Sequence, residues 1–285
     1  MWSHDGERGP SQRPAPHALA PVAQTSLWTL YHRAAAARRD PPLLTDPAAV
    51  ELTDRCDWPF QAWFGRPHHV AEQYLARRAR MYDAATTRFL RRHPGATVIA
   101  LGEGLETQFW RADNGTAHWL SVDRPEVIEL RRAVLPHGPR QHAVACSVTD
   151  PRWTDHAVAR PPSLIAAQGL FMYLRPPQAA ALIRLCVRRF PRSVLLFDTL
   201  PHVTAHLAPY ALTRGGTFRF PTLRGAIRPS ALRLGDTGQR HAVTVRSIGP
   251  YAIGPRATAR LILAAQRSWP VREALLPALV RLDIP

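Results

Sequence analysis

The chain has 285 residues and a formal net charge of +16, and all 37 of its basic side chains are arginine. With 46% hydrophobic residues and eight tryptophans it is globular and long enough to bury a sizeable core, while 28 prolines point to many fixed loops. An arginine-only bias reads as the base composition of a GC-rich genome rather than selection for phosphate contacts, and long runs of consecutive basic residues are lacking, so nucleic acid is not the expected partner.

Cys56, Cys146 and Cys186 are odd in number and far apart, with no C-x-x-C pair, which supports neither a disulfide framework nor a zinc site; no metal is expected. Residues 1–26 carry Asp5, Glu7 and several prolines without an apolar core of signal-peptide length, and no later run reaches about eighteen apolar residues. A cytoplasmic protein with no membrane partner is expected. The same segment lacks periodicity and reads as a disordered tail, leaving residues 27–285 as a single domain.

Leu27 to Arg39 is a helix ended by Asp40-Pro41-Pro42. Val70 to Arg92 is a stronger one, with Leu75, Ala79, Tyr82, Thr86 and Phe89 on one face and Arg77, Arg80, Arg88 and Arg91 opposite. Arg78 breaks that division by falling beside Tyr82 and Phe89, where a guanidinium without an anion is costly to desolvate. Either something negative meets it or its head snorkels to water.

Thr97 to Leu101 is a short apolar run suited to a strand buried on both faces. It ends in Gly102-Glu103-Gly104, where two glycines let the backbone turn and approach a ligand closely, ahead of a helix start whose unpaired N–H groups face it. About twenty residues on, Ala117 to Val122 repeats the strand pattern and stops at Asp123, an acid placed to accept hydrogen bonds from ribose hydroxyls. A dinucleotide fingerprint requires a third glycine where Thr107 stands. A pyrophosphate also sits poorly beside Glu103 and Glu106, whereas a cofactor carrying a sulfonium and an ammonium tolerates carboxylates. The pattern points to S-adenosylmethionine; the alternative is a glycine turn that merely ends a core strand.

Pro125 opens a helix through Glu126 to Leu135, and His142 to Ala145 is a third strand. Ser163 to Ala167 is the fourth, with Gln168 to Leu174 leaving the edge at which open α/β sheets bind ligands. A helix from Pro176 to Phe190 and a strand from Val194 to Phe197 follow. Thr199 to about Leu234 has no clean period and reads as a cap over the substrate, an insertion near residues 199–240. The closing elements are expected to be strands at Ala242 to Ser247 and Thr258 to Ala264, then a helix near Val271 to Leu282.

The stretch LGEGLETQFWRADNG followed by WLSVDRPEVIELRRAVLP resembles the leucine carboxyl methyltransferase family, in its bacterial polyketide O-methyltransferase branch. Three further stretches agree in order: Tyr31 to Asp46 with Arg33 and the pair Asp46-Pro47, then Arg78 to Asp83, then Gln168 to Leu174. The resemblance runs from about Leu27 to about Asp198. It implies an α/β class I methyltransferase fold, Rossmann-like and doubly wound, with a mostly parallel sheet, N-terminal helices and the cap insertion. It also implies S-adenosylmethionine as cofactor. By the same resemblance Arg78 binds the methionyl carboxylate and Arg33 is a second carboxylate ligand. Gly102, Glu103, Gly104 and Asp123 form the cradle, Thr149 and Asp150 lie around the adenine, and Gln168 and Gly169 contact the cofactor's polar end. An N-cap is the other reading of Asp150. Against the commoner family pattern Glu103 replaces a small residue, Glu106 an Asp, Gln108 an Arg and Gln168 a Glu. Gln168 offers neutral hydrogen bonds where an acid would supply a charge, a role Glu103 could take over.

The expected function is S-adenosylmethionine-dependent O-methylation of a small-molecule carboxylate or phenol in polyketide or other secondary metabolism. A carboxylate needs only orientation, for which Arg214, Arg219 or Arg224 would serve. A phenol needs a base, for which His202 and His206 lie nearest along the chain; Tyr173 is a third catalytic candidate. The rival readings are a non-catalytic S-adenosylmethionine-binding or scaffold subunit, kept open by Gln168, and an RNA methyltransferase, suggested by charge alone.

Overall fold

Thr97–Leu101 (β1), His118–Asp123 (β2), Gln141–Ala145 (β3), Ser163–Ala167 (β4), Val194–Thr199 (β5), Ala242–Ser247 (β6) and Ala278–Asp283 (β7) form one sheet in the order β3-β2-β1-β4-β5-β7-β6. The structure is a computed structural model that describes residues 19–157, 162–201, 205–206, 215–224, 242–247 and 277–285. The first five strands run parallel, and β7 lies antiparallel between β5 and β6. This is the expected doubly wound α/β sheet of the class I methyltransferase type. Because β2 flanks one side of β1 and β4 the other, the strand order reverses at β1, opening a crevice beyond its C-terminal end.

Every residue of β1, β4 and β5 is buried, the pattern of parallel strands covered on both faces. Ile99, Leu101, Ile165, Leu195 and Phe197 pack on one side with Trp153, Ile183 and Phe190; the helix Pro176–Arg189 lies there. Val98, Ala100, Leu164 and Leu196 pack on the other with Tyr82 and Phe89, whose helix, His69–Arg92, carries the buried face and arginine-rich opposite face read from the sequence. The two faces follow the period of two along each strand.

The N-terminal layer begins earlier than expected. Helix Pro21–Ala37 includes residues 21–26, which the sequence assigned to a tail, and Ala23, Thr25 and Ser26 are buried. Pro21 opens it, since proline at a first helical turn loses no hydrogen bond and is pre-set for the helix. Two further helices, Pro47–Cys56 and Phe60–Phe64, complete this layer, the first capped by Asp46 on the Ala49 N–H at 3.2 Å. Tyr31 stacks on Phe60 at 5.2 Å, and Phe218 packs edge-on against Phe64.

A second correction falls at the C-terminal end. Residues 278–282 were expected to finish a helix and are strand; Leu279 packs on one face of the sheet and Val280 and Leu282 reach the other side. A short apolar run satisfies both periods, and Pro277, which a helix interior would not tolerate, was the discriminating signal. The remainder of that expected helix and the strand expected at Thr258 to Ala264 lie outside the described residues, whereas Ala242–Ser247 is strand as expected. Among the described residues no helix is long and apolar enough to cross a membrane.

The fully buried Tyr82 joins the long helix to the sheet, its hydroxyl 3.1 Å from both the Asp198 carboxylate and the Ala167 carbonyl. Tyr82→Phe removes a buried hydrogen bond to a charged group, so urea denaturation should show a loss of about 1.5–3 kcal/mol. An unchanged unfolding midpoint would contradict this.

Candidate functional site

The crevice is built on the turn after β1. Gly102 and Gly104 have φ of +62° and +57°, a left-handed backbone that disfavours other residues. A side chain at Gly102 would meet Leu170 at 2.9 Å, and one at Gly104 would meet Ser26 at 2.8 Å, so the first helix sits directly on the turn. Asp123, ending β2, accepts from the Gly104 and Arg124 N–H groups, each at 2.8 Å. Burial pushes its carboxyl up, and these two donors pull it back. Glu103 borders the crevice, but its carboxylate accepts from Trp119 Nε1 at 3.0 Å, from the Ser121 hydroxyl and from Arg131 at 2.9 Å. Its charge is spent on the fold, and it does not take over the role that Gln168 lacks.

Glu106 is also on the cavity wall. Burial favours its neutral form, yet the Arg33 and Arg111 guanidinia, with the Thr107 N–H, hold its carboxyl down at about 2. The same guanidinia reach Asp46, Arg33 at 3.5 Å and Arg111 at 2.8 Å, and Arg111 also pairs with Asp83 at 2.8 Å. Thr107, in the place of a third glycine, donates its hydroxyl to Asp46. The other Glu106 oxygen, Oε2, accepts from Gln168 Nε2 at 2.9 Å.

Across the crevice Arg78 is 6% exposed, and its anion is Asp198 at 3.5 Å. The guanidinium lies flat on Gly169, where a side chain would meet it at 3.0 Å, and packs over the Tyr74 ring. Asp198 accepts from the Gly169 N–H at 2.5 Å and the Tyr82 hydroxyl at 3.1 Å. Arg78 Nε, a donor, and Asp198 Oδ2 and Gln168 Oε1, both acceptors, are buried without hydrogen-bond partners.

These elements enclose a cavity of about 610 Å³. Its polar lining includes Arg78, Gly102, Gly104, Glu106, Asp123, Gln168 and Gly169; its apolar lining includes Trp28, Met172, Leu200, Phe220 and Leu223. Glu103, Thr149 and Tyr173 are also on its wall. An orphaned donor and an orphaned acceptor on the wall, with a glycine turn and an acid on β2, fit a nucleoside bearing a zwitterionic tail, as S-adenosylmethionine does.

Other predicted residues are elsewhere. Arg33 is fully buried beneath the turn, its guanidinium committed to Glu106, Asp46 and the Leu105 carbonyl, and it does not face the cavity. Asp150 caps the following 3₁₀ turn on the Arg152 N–H at 3.0 Å and pairs with the Arg152 guanidinium, the capping reading of that residue. His206 is exposed and off the wall, as are Arg219 and Arg224; His202 and Arg214 lie outside the described residues. Thr25, Ser26, Trp28 and Tyr74 are wall residues that sequence reasoning missed, because Thr25 and Ser26 were assigned to a tail and the two aromatics carry no motif. Glu106 was read as a charge unfavourable to a pyrophosphate and as a departure from a family pattern, not as a site residue.

Comparison with known proteins agrees with this geometry. Residues 26–187 match the family described as leucine carboxyl methyltransferase. A tetracenomycin polyketide synthesis O-methyltransferase, TcmP of Streptomyces glaucescens, is 32% identical over 88% of this chain and 93% of its own. An S-adenosyl-L-methionine-dependent methyltransferase of Gibberella zeae, dpfgK, is 29% identical over 69% of this chain and 72% of its own. Among solved structures, a Thermobifida fusca protein assigned as a methyltransferase superposes with a TM-score of 0.50 at 17% identity, covering 90% of this chain and 94% of that one, a likeness of fold. The chain belongs to the leucine carboxyl methyltransferase family of S-adenosylmethionine-dependent methyltransferases.

Proposed function

We propose that the protein is a cytoplasmic O-methyltransferase of secondary metabolism whose acceptor is a small-molecule carboxylate bearing an aromatic or similarly apolar body. The observation that carries this reading is that the carboxylates of the cavity wall are already engaged. Glu103 and Glu106 are engaged by arginines, and Asp123 by backbone N–H groups. Burial pushes the Tyr74 and Tyr173 hydroxyls up, away from the range of a general base. No described histidine is on that wall, and His32 behind it is held neutral, its imidazole lowered to about 4 by burial despite its hydrogen bond to the Trp28 carbonyl.

An acceptor entering such a cavity has to arrive already ionised. A carboxylic acid, with an unperturbed pKa of about 4, does so at neutral pH, whereas a phenol, near 10, does not. When bound, the cofactor supplies an electrophilic methyl group on a sulfonium. The protein's own part is to orient the two reactants and exclude water. Trp28 supports an oxygen-bearing acceptor, since its indole N–H is buried without a partner and the residue lines the cavity. The aromatic surroundings, with Phe220 edge-on to Trp28 at 4.9 Å, suit a flat ring system. TcmP is an O-methyltransferase of polyketide synthesis, which supports the same class of acceptor. Cys56, Cys146 and Cys186 are thiols rather than disulfides, which fits a reducing compartment.

With no base among the described wall residues, kcat/KM for a carboxylate acceptor should be flat from about pH 6 to 8 and fall only as the acceptor's own carboxyl protonates, near pH 4. A rate that climbs through neutral pH, together with faster turnover of phenols than of acids, would reverse the assignment. A second expectation concerns Arg78. Arg78→Lys should weaken S-adenosylmethionine binding about tenfold or more, since a point charge cannot reproduce two parallel hydrogen bonds, while adenosine binding hardly changes. Equal loss for both ligands in calorimetric titration would make Arg78 a purely structural residue.

A further inference from the structure

Gln168 and Glu106 form a pair whose orientation follows from charge alone. Glu106 is ionised, because one of its oxygens already accepts from Arg33, Arg111 and the Thr107 N–H. An ionised carboxylate accepts and cannot donate, so the group facing its second oxygen has to be the Gln168 amide nitrogen, as the 2.9 Å contact has it. The Gln168 carbonyl oxygen is thereby turned the other way. It is buried, has no partner, and belongs to a residue of the cavity wall beside Gly169 and Arg78. The cluster behind it, with Asp46, Asp83 and Glu106 against Arg33 and Arg111, carries one carboxylate more than its guanidinia neutralise.

We infer that Glu106 is a positioning residue which locks the Gln168 amide so that its carbonyl accepts from the cofactor's ammonium, and that the negative charge serving this ammonium resides on the glycine turn rather than at the end of β4. The inference rests on the reading of the cavity as an S-adenosylmethionine site. It makes Gln168 a relay that presents the field of Glu106 to the ligand without placing a second carboxylate in the cleft. It also explains why a neutral side chain suffices at position 168.

The logic can be inverted by mutation. In Glu106→Gln the carbonyl of the new amide has to serve the Arg33 and Arg111 guanidinia, so its nitrogen faces Gln168 and forces that amide to flip, turning N–H groups toward the ammonium. In the exchange Glu106→Gln with Gln168→Glu, the new amide at position 106 donates to the carboxylate at position 168, whose other oxygen again faces the cavity. The test is calorimetric titration with S-adenosylhomocysteine and with its des-amino analogue, in which hydrogen replaces the amino group. The natural protein should prefer the amino ligand by about tenfold or more, the usual strength of a hydrogen bond to a charged group. Glu106→Gln should lose the preference while still binding the analogue, and the exchange should restore it. Gln168→Met, which removes the acceptor without touching the arginines, should also lose it and covers the case of a Glu106 variant that does not fold. Preference retained in Glu106→Gln or in Gln168→Met, or not recovered in a folded exchange variant, would overturn the assignment. A natural protein binding both ligands equally would overturn it while leaving the cofactor reading intact, whereas binding of neither would remove both.

Discussion

Glu106 is held by two arginines that the rest of the fold has to deliver. Arg33 comes from the first helix and Arg111 from the short helix after the glycine turn, and both also reach Asp46, the cap of the second helix. Arg111 extends the network to Asp83 on the long helix. Desolvating so many charges is expensive, and such a cluster is tolerated only when every member is paired; removing one member of a buried pair typically costs about 3–5 kcal/mol. The network therefore couples the N-terminal helices to the sheet edge. With the first helix in place, Ser26 rests against Gly104, and Thr25, Ser26 and Trp28 become cavity wall.

The same commitment of charge governs the chemistry. Each carboxylate near the cavity is engaged before any ligand arrives, and the buried polar atoms left over on the polar wall are the Arg78 and Gln168 atoms suited to a zwitterion. This bears on both rival functions. A non-catalytic scaffold was suggested by a neutral residue at position 168, but Glu106 hydrogen-bonds to it and stays ionised, so a formal charge remains on the cavity wall. RNA binding was suggested by the charge of +16, but Arg33, Arg78, Arg111 and Arg131 are buried in ion pairs and offer no surface to phosphates.

Much of this was legible in the sequence, for identifiable reasons. The strands β1, β2, β4 and β5 are apolar runs bounded by glycine, acid or proline, and Arg78 announced itself as a cation on a buried helical face. The turn glycines and Asp123 were readable from spacing. What escaped depended on contacts distant in the chain. The first helix start looked like a tail because its burial comes from the glycine turn, far along the chain from Ser26. Arg33 resembled a ligand because nothing local reveals that Glu106 and Asp46 consume it. Asp150 sits where an adenine contact would, yet Arg152 two residues on captures it, and β7 was lost to the ambiguity of a short apolar run.

The central claim is that these charges build a site for a nucleoside with a zwitterionic tail and not for a dinucleotide. Thermal unfolding with S-adenosylhomocysteine and, separately, with NAD tests it most directly. At about a hundred times its dissociation constant, S-adenosylhomocysteine should stabilise the protein by about 2.7 kcal/mol, and NAD should leave the transition where it is. Stabilisation by NAD with none from S-adenosylhomocysteine would contradict the account.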